Sequence, residues 1–251
     1  MAEFGAKHPC FCPDNAEKGI VLGKLVAANL TVNMASGEIY ADDELAEQVS
    51  EFSSGNLAME TDDLTDENAQ VVYGCQVRDG EVIYNTDDKA PRGCLAYFKS
   101  LMRGGVKFYK GFFYPRARAA LGNDSATTKG ANITFTTAQT AFTIMSDDAG
   151  DWRKTKTFTD SDSAAAWCEQ MTKVASYHVV RVTAQGVDAK TKVDKIGEFY
   201  VPHGTAFVLG VKGTAAALYD NGEDKKTSVS GQKYNLAAVT EDHEIAVIYT
   251  A

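Results

Sequence analysis

The sequence predicts an all-β chain with one or two flanking α-helices, divided into a larger N-terminal part and a small C-terminal β-sandwich. Short runs rich in β-branched and aromatic residues, cut by Gly, Asn and Asp clusters, recur along its length and read as strands. Helical periodicity is confined to two short stretches, and charge and pattern both change near Lys173. With 251 residues, 44% of them hydrophobic and 24% charged, the chain can bury a core in one large domain or two modest ones.

The opening stretch Met1 to Pro13 has neither the basic nor the apolar region of a secretory signal. The apolar run Ile20 to Ala28 is interrupted by Gly23 and Lys24 and falls far short of the roughly 20 residues of a membrane helix. The expectation is a soluble protein with no export signal and no membrane insertion. A first helix is expected to start near Thr61 or Asp62, with an acidic first turn, Leu64, Asn68, Val71, Val72 and Cys75 along one face, and Gly74 near its end. The clearest hairpin runs from Cys94 to Met102, turns at Arg103, Gly104 and Gly105, and returns from Val106 to Tyr114. Ile133 to Thr137 and Ala141 to Met145 read as strands, with a turn at Asp147 to Asp151. A second helix starts at Ser161 or Asp162 and continues through Ala164, Ala165, Trp167, Cys168 and Met171, and both helices are expected to pack on a sheet.

From Tyr177 onward the pattern is again strand and turn: Tyr177 to Thr183, Glu198 to Val201, Ala206 to Val211, Tyr234 to Val239 and Glu244 to Tyr249, with a link at Asp220 to Asp224. About 75 residues of this kind suit an immunoglobulin-like sandwich of roughly seven short strands. The predicted domains are residues 1–174 and 175–251.

The formal charge of −9 is unevenly placed. Residues 1–172 carry 25 acidic and 16 basic side chains, whereas residues 173–251 carry 9 of each. No Lys or Arg falls between Lys24 and Arg78, an interval crowded with Glu38, Asp42, Asp43, Glu44, Glu47, Glu51, Glu60, Asp62, Asp63, Asp66 and Glu67. Such a surface repels phosphate, which disfavours sequence-specific DNA binding. The five cysteines, Cys10, Cys12, Cys75, Cys94 and Cys168, lack the even framework of a secreted disulfide scaffold and fit reduced thiols in a cytosol. Cys10-Phe11-Cys12 has no second close pair, and His8, His178, His203 and His243 show no ligand spacing, so no metal or other cofactor is expected.

Catalysis finds no foothold in the motifs. Glycine-rich phosphate loops, a Gly-x-Ser-x-Gly elbow and a His-Glu-x-x-His helix are all missing. Four acidic pairs, Asp42-Asp43, Asp62-Asp63, Asp87-Asp88 and Asp147-Asp148, are better explained by turns and helix starts, because neighbours in a strand point to opposite faces. Asp147 to Asp151 lacks the remaining ligands of a calcium loop. Phe108, Tyr109, Phe112, Phe113 and Tyr114 beside Arg116 and Arg118 are read as hairpin packing next to a subunit contact rather than a nucleic-acid stacking platform.

Several blocks carry a family likeness: Phe4-Gly-Ala-Lys-His-Pro-Cys10, Val21-Leu-Gly-Lys-Leu25 followed by Ala28-Asn-Leu-Thr-Val32, Ile39-Tyr-Ala-Asp-Asp-Glu-Leu-Ala-Glu47, Asp62-Asp-Leu64 before a helix, and Lys129-Gly-Ala-Asn-Ile-Thr-Phe135. In order and spacing, residues 3–172 resemble the major tail tube proteins of siphophages, specifically the phi13-type major tail protein family. The tail from about residue 177 resembles the immunoglobulin-like or bacterial-repeat modules often appended to such proteins.

The resemblance implies a β-sandwich or barrel core flanked by a helix, assembled as stacked hexameric rings that form the conduit for DNA ejection. It implies a virion tail location, with assembly in the host bacterial cytoplasm. The implied partners are further copies of the chain, a tape measure protein, tail terminator and distal tail proteins, and genomic DNA in transit without sequence-specific binding. The C-terminal module is expected on the outside, where it could touch host-surface glycans. On this reading Glu38, Asp42, Asp43, Glu44, Glu47, Asp62 and Asp63 face the lumen or a ring-to-ring interface, or form a merely solvated face. Arg103, Gly104, Gly105, Lys107, Arg116 and Arg118 belong to an inter-subunit hairpin with basic contacts. The rival reading is a carbohydrate-binding or adhesion module on a virion or cell surface.

Overall fold

The computed structural model describes residues 2–41, 44–121 and 137–250. The chain is all-β with few helices and divides into two compact units, Met1–Val174 and Ala175–Ala251.

The first unit contains β1 (Ala2–Pro13), β2 (Ile20–Val21), β3 (Leu25–Ala41), β4 (Glu44–Thr61), α1 (Asp66–Tyr73), β5 (Gln76–Arg78), β6 (Glu81–Ile83), β7 (Arg92–Arg103), β8 (Val106–Leu121), β9 (Ala138–Met145), β10 (Lys154–Phe158) and α2 (Ser161–Met171). One antiparallel sheet runs β2-β1-β7-β8-β9-β4-β3, and β10 pairs with β8 over Tyr109 to Phe113. β8 pairs with β9 only from Arg116 onward, so its two halves serve different neighbours and the sheet curls. β1 and β3, far apart in strand order, consequently approach one another. Inside the curl lie Phe11, Leu57, Met59, Leu95, Tyr97, Phe112, Tyr114, Phe142 and Ile144, with Val72 of α1 packed among them.

The outer face of β1, β7 and β8 is covered by α2. This explains why Leu95 to Phe98 and Gly111 to Tyr114 are buried without a break: alternate side chains enter the core and the helix interface. At Gly111 the approach is so close that a β-carbon would lie 2.6 Å from the Trp167 ring. β1 is broken by two register shifts, and the second, between Lys7 and Cys10, contains His8 at φ 59°.

The first helix begins later than its sequence suggests. Thr61 is instead the last residue of β4, buried and paired with Leu25 and Ala138. Asp62 accepts from the backbone N–H groups of Lys24 and Asp63 and so is not free to cap. Thr65 is the cap, accepting from Asn68 N at 3.3 Å, and Gly74 ends the helix in the left-handed region. α2 starts at Ser161 as expected, capped by Asp160. The β7–β8 turn consists of Gly104 and Gly105 alone, both at positive φ, because Arg103 pairs with Val106. The strand expected at Ile133 to Thr137 lies mostly outside the described residues.

The second unit contains β11 (Tyr177–Gln185), α3 (Ala189–Lys192), β12 (Gly197–Pro202), β13 (Phe207–Gly210), β14 (Ala217–Asp220), β15 (Glu223–Asp224), β16 (Lys233–Leu236) and β17 (His243–Ile248). A five-stranded sheet, β12-β11-β17-β14-β15, and a two-stranded sheet, β13-β16, share one core of Val180, Val182, Leu209, Leu218, Ile245 and Val247. The first and last strands, β11 and β17, are parallel neighbours in the middle of the larger sheet. The link at Asp220 to Asp224 is a tight hairpin, with Asp220 opposite Glu223.

Candidate assembly surfaces

β3 and β4 leave the curled sheet near Val32 and Gly55. β4 is hydrogen-bonded to β9 only over Gly55 to Thr61; beyond that point β3 and β4 pair with each other alone, out to Ala41 opposite Glu44. At about 3.4 Å per residue the ribbon extends roughly 30 Å from the sheet. Its root is fixed by Phe52, whose ring stacks on Trp152 with centroids 4.4 Å apart. Every residue from Thr31 to Glu38 is exposed, as are Gln48 to Glu51 on the returning strand. Val32, Met34 and Val49 are 38%, 52% and 54% exposed. The outer edge of β3 has no strand partner among the described residues. An isolated two-stranded ribbon is marginal in water, and bare apolar side chains beside an unpaired edge make this one a candidate contact surface.

The acidic residues singled out from the sequence divide into two groups. Glu38 lies on the ribbon, its carboxylate accepting from Gln48 Nε2 at 3.1 Å. Glu44 and Glu47 belong to the same ribbon, opposite Ala41 and Ile39. Asp42 and Asp43 fall outside the described residues, between the two strands. Asp62 and Asp63 are elsewhere, at the far end of β4, where Asp62 ties that end to Lys24 at 2.7 Å.

The basic residues do not form one patch. Arg103 and Lys107 flank the Gly104-Gly105 turn, and the Lys107 ammonium lies over the rings of Phe4 (5.6 Å) and Tyr109 (5.3 Å). Arg116 is engaged within its own chain: it meets Asp148 at 2.6 Å and donates to the Ser146 carbonyl, and this hydrogen bond and charge hold the Asp148 carboxyl below its ordinary range. Arg118, exposed, lies across from Arg92 and Thr143. Of the hairpin aromatics, Phe112, Phe113 and Tyr114 are buried and offer no stacking platform.

The ladder sets these two projections in a common direction. Ala117 of β8 is opposite Ile144 of β9, which is opposite Gly55 of β4, so β4 and β8 run parallel through β9. The ribbon tip and the Gly104-Gly105 turn therefore extend toward the same end of the sheet.

The second unit carries a polar cleft of about 390 Å³, lined among others by Asp220, Asn221, Tyr234, Asn235, Glu241 and His243. Asp220 is buried, accepting from Tyr234 Oη at 2.7 Å and lying 2.8 Å from His243 Nδ1. Burial, followed by the Asp220 hydrogen bond and charge, pushes the Tyr234 hydroxyl above its ordinary pKa. Elsewhere in this unit His178 Nε2 lies 2.8 Å from His203 Nδ1, a contact that their spacing of 25 residues did not announce. Among the described residues no group of three or more His, Cys, Asp or Glu side chains is placed to hold a metal ion, and no helix is long and apolar enough to cross a membrane.

The ribbon is the feature that sequence reasoning missed. Residues 31–38 and 48–51 show no buried face, so the alternation that marks an ordinary strand is missing there, and the interval is legible only as an acidic run. No family model matches this chain, and no curated protein matches it.

Proposed function

We propose that this chain is a major tail tube protein of a long-tailed bacteriophage, a structural subunit that closes into hexameric rings and stacks them around a DNA channel. The observation that carries the reading is the β3–β4 ribbon, with its free edge and exposed Val32, Met34 and Val49. A second copy satisfies both features at once, because an added strand pairs the open backbone and its side chains cover the apolar ones. The family likeness of residues 3–172 supplies the kind of assembly.

Charge adds a constraint on how copies meet. The acid-bearing ribbon and the basic hairpin of Arg103 and Lys107 extend toward the same end of the sheet. In a head-to-tail stack that end faces the opposite end of the next ring, so acid-to-base pairing is available between side-by-side neighbours within one ring. Acidic side chains left facing the channel would repel phosphate and let DNA pass without sticking. The tape measure protein, the tail terminator and the distal tail proteins are the other partners this role requires.

The second unit has a reading of its own, as a glycan contact on the outside of the particle. Its cleft presents carboxylates and side-chain amides, the hydrogen-bonding groups a polyhydroxylated ligand needs. Negative-stain microscopy of the purified full-length chain tests the main proposal. Rings or hollow cylinders are expected; solitary particles at every concentration tried, together with binding to glycans, would replace it with the adhesion reading.

A further inference from the structure

Two of the five cysteines stand directly opposite one another. Cys12 of β1 is the register partner of Cys94 of β7. The hydrogen-bonding phase of this ladder can be counted from its end. Asp14 N donates to the Arg92 carbonyl at 2.8 Å, which makes Asp14 and Arg92 a hydrogen-bonded pair. Pro13 and Gly93 are then the non-hydrogen-bonded pair, as suits a proline with no N–H, and Cys12 and Cys94 are hydrogen-bonded again. The α-carbons of such a pair lie about 5.5 Å apart. The α-carbons joined by a disulfide lie roughly 4.4–6.8 Å apart, a range that includes this separation. Both β-carbons leave the sheet on the same face.

The other thiols are placed differently. Cys10 faces Ala96 across the ladder, and Cys75 belongs to the core on the opposite side of the sheet. Cys168 lies on α2. All five are free. In the reduced chain Cys12 Sγ donates to the Pro13 carbonyl and Cys94 Sγ to that of Met171, at 3.5 and 3.7 Å, weak bonds that a rotation about χ1 releases.

We propose that Cys12 and Cys94 are a thiol–disulfide pair that closes into a reversible cross-strand bridge when the chain meets a low-molecular-weight disulfide such as oxidised glutathione. Cys94, partly exposed, takes the first step, and Cys12, almost fully buried, resolves it. The Cys94 thiolate attacks oxidised glutathione, forming a mixed disulfide and releasing one glutathione. The Cys12 sulfur then attacks Cys94 Sγ, forming the protein disulfide and releasing the second. Two protein thiols lose two protons and two electrons, and one glutathione disulfide is reduced to two thiols. Burial pushes the Cys94 thiol up to about 12, so the thiolate is scarce near neutral pH and closure is slow there and faster in mild alkali.

The bridge would staple the N-terminal strand to β7 across a loop of roughly 80 residues. Under the tail-tube reading it stays open during assembly in a reducing cytoplasm and closes after release. The chemistry itself does not depend on that reading and can be followed on single subunits or on tubes.

The test is to incubate the reduced, folded, full-length protein with oxidised glutathione at mildly alkaline pH and map its disulfides by peptide mass spectrometry. The expected product is a Cys12–Cys94-linked peptide, reversed by dithiothreitol and accompanied by a rise of at least ~5 °C in the unfolding midpoint of the first unit. Cys10→Ser should form the same bridge, whereas Cys94→Ser should form none. A Cys10–Cys168 bridge in its place, or a glutathione adduct that persists on Cys94 without being resolved by Cys12, would overturn the proposal. Because the decisive measurement is made on the unmutated chain, misfolding of a variant cannot mask the result.

Discussion

Gly111 shows how one missing side chain lets a helix dock on a sheet. Trp167 of α2 lies against Phe158, and its ring fills the space a β-carbon on residue 111 would occupy. Gly111→Ala is therefore expected to push α2 away from β8 and cost about 1–3 kcal/mol of stability, measured by urea denaturation of the first unit. An unchanged midpoint would mean that the helix yields freely. Cys10, beneath the same helix, makes a prediction about pH. Burial, with a smaller contribution from the Glu169 charge, pushes its thiol from the ordinary 9.0 up to about 12. Its contribution to stability is whole below about pH 9, where both folded and unfolded chains keep the proton. The contribution drains away between about 9 and 12, as the unfolded chain ionises first, with a slope of up to about 1.4 kcal/mol per pH unit. Cys10→Ser should show a shallower decline over that range in denaturation series, and an identical decline would assign the loss to other groups.

At the scale of elements, α1 and α2 are held by caps that follow familiar local rules, whereas the β3–β4 ribbon is held by little but its own ladder. Beyond the Phe52–Trp152 stack, residues 31–38 and 48–51 are all exposed. Replacing residues 36–50 by an Asn-Gly turn should leave the stability of the first unit, measured by thermal denaturation, within about 1 kcal/mol of its original value, because none of the described core residues lies in that interval. The same change should abolish rings and tubes in negative stain. Tubes that still formed would place the self-contact elsewhere. The β7–β8 hairpin behaves in the opposite way: its flanks are core on one face and helix interface on the other, so it is anchored nearly to its tip.

For the whole molecule, the two units have separate cores and different charge, the acidic excess lying in the first. If the C-terminal unit is an external module, deleting residues 177–251 should leave tube formation intact while removing any glycan binding. Loss of tubes in that deletion would show that the module takes part in assembly. Sequence and structure agree best where the determinants are local. Gly104 and Gly105 mark a hairpin because their positive φ is a property of the two residues alone, and α2 starts where Asp160 can cap it. They part where the determinants are distant. Thr61 and Asp62 look like helix caps until β4 and Lys24 claim them, and Asp220, Tyr234 and His243 form a hydrogen-bonded cluster that no spacing reveals.

By itself, then, the sequence determined the all-β class, the β7–β8 turn, the second helix, and the acidic interval, since each depends on side chains within a few residues of one another. Tertiary structure alone decided that β7 and β8 are covered on both faces, that β11 and β17 lie side by side, that the first part of the acidic interval belongs to a projecting ribbon, and that Cys12 faces Cys94. Those outcomes depend on which strands become neighbours, and strand pairing is fixed by burying a shared core from segments far apart in the chain.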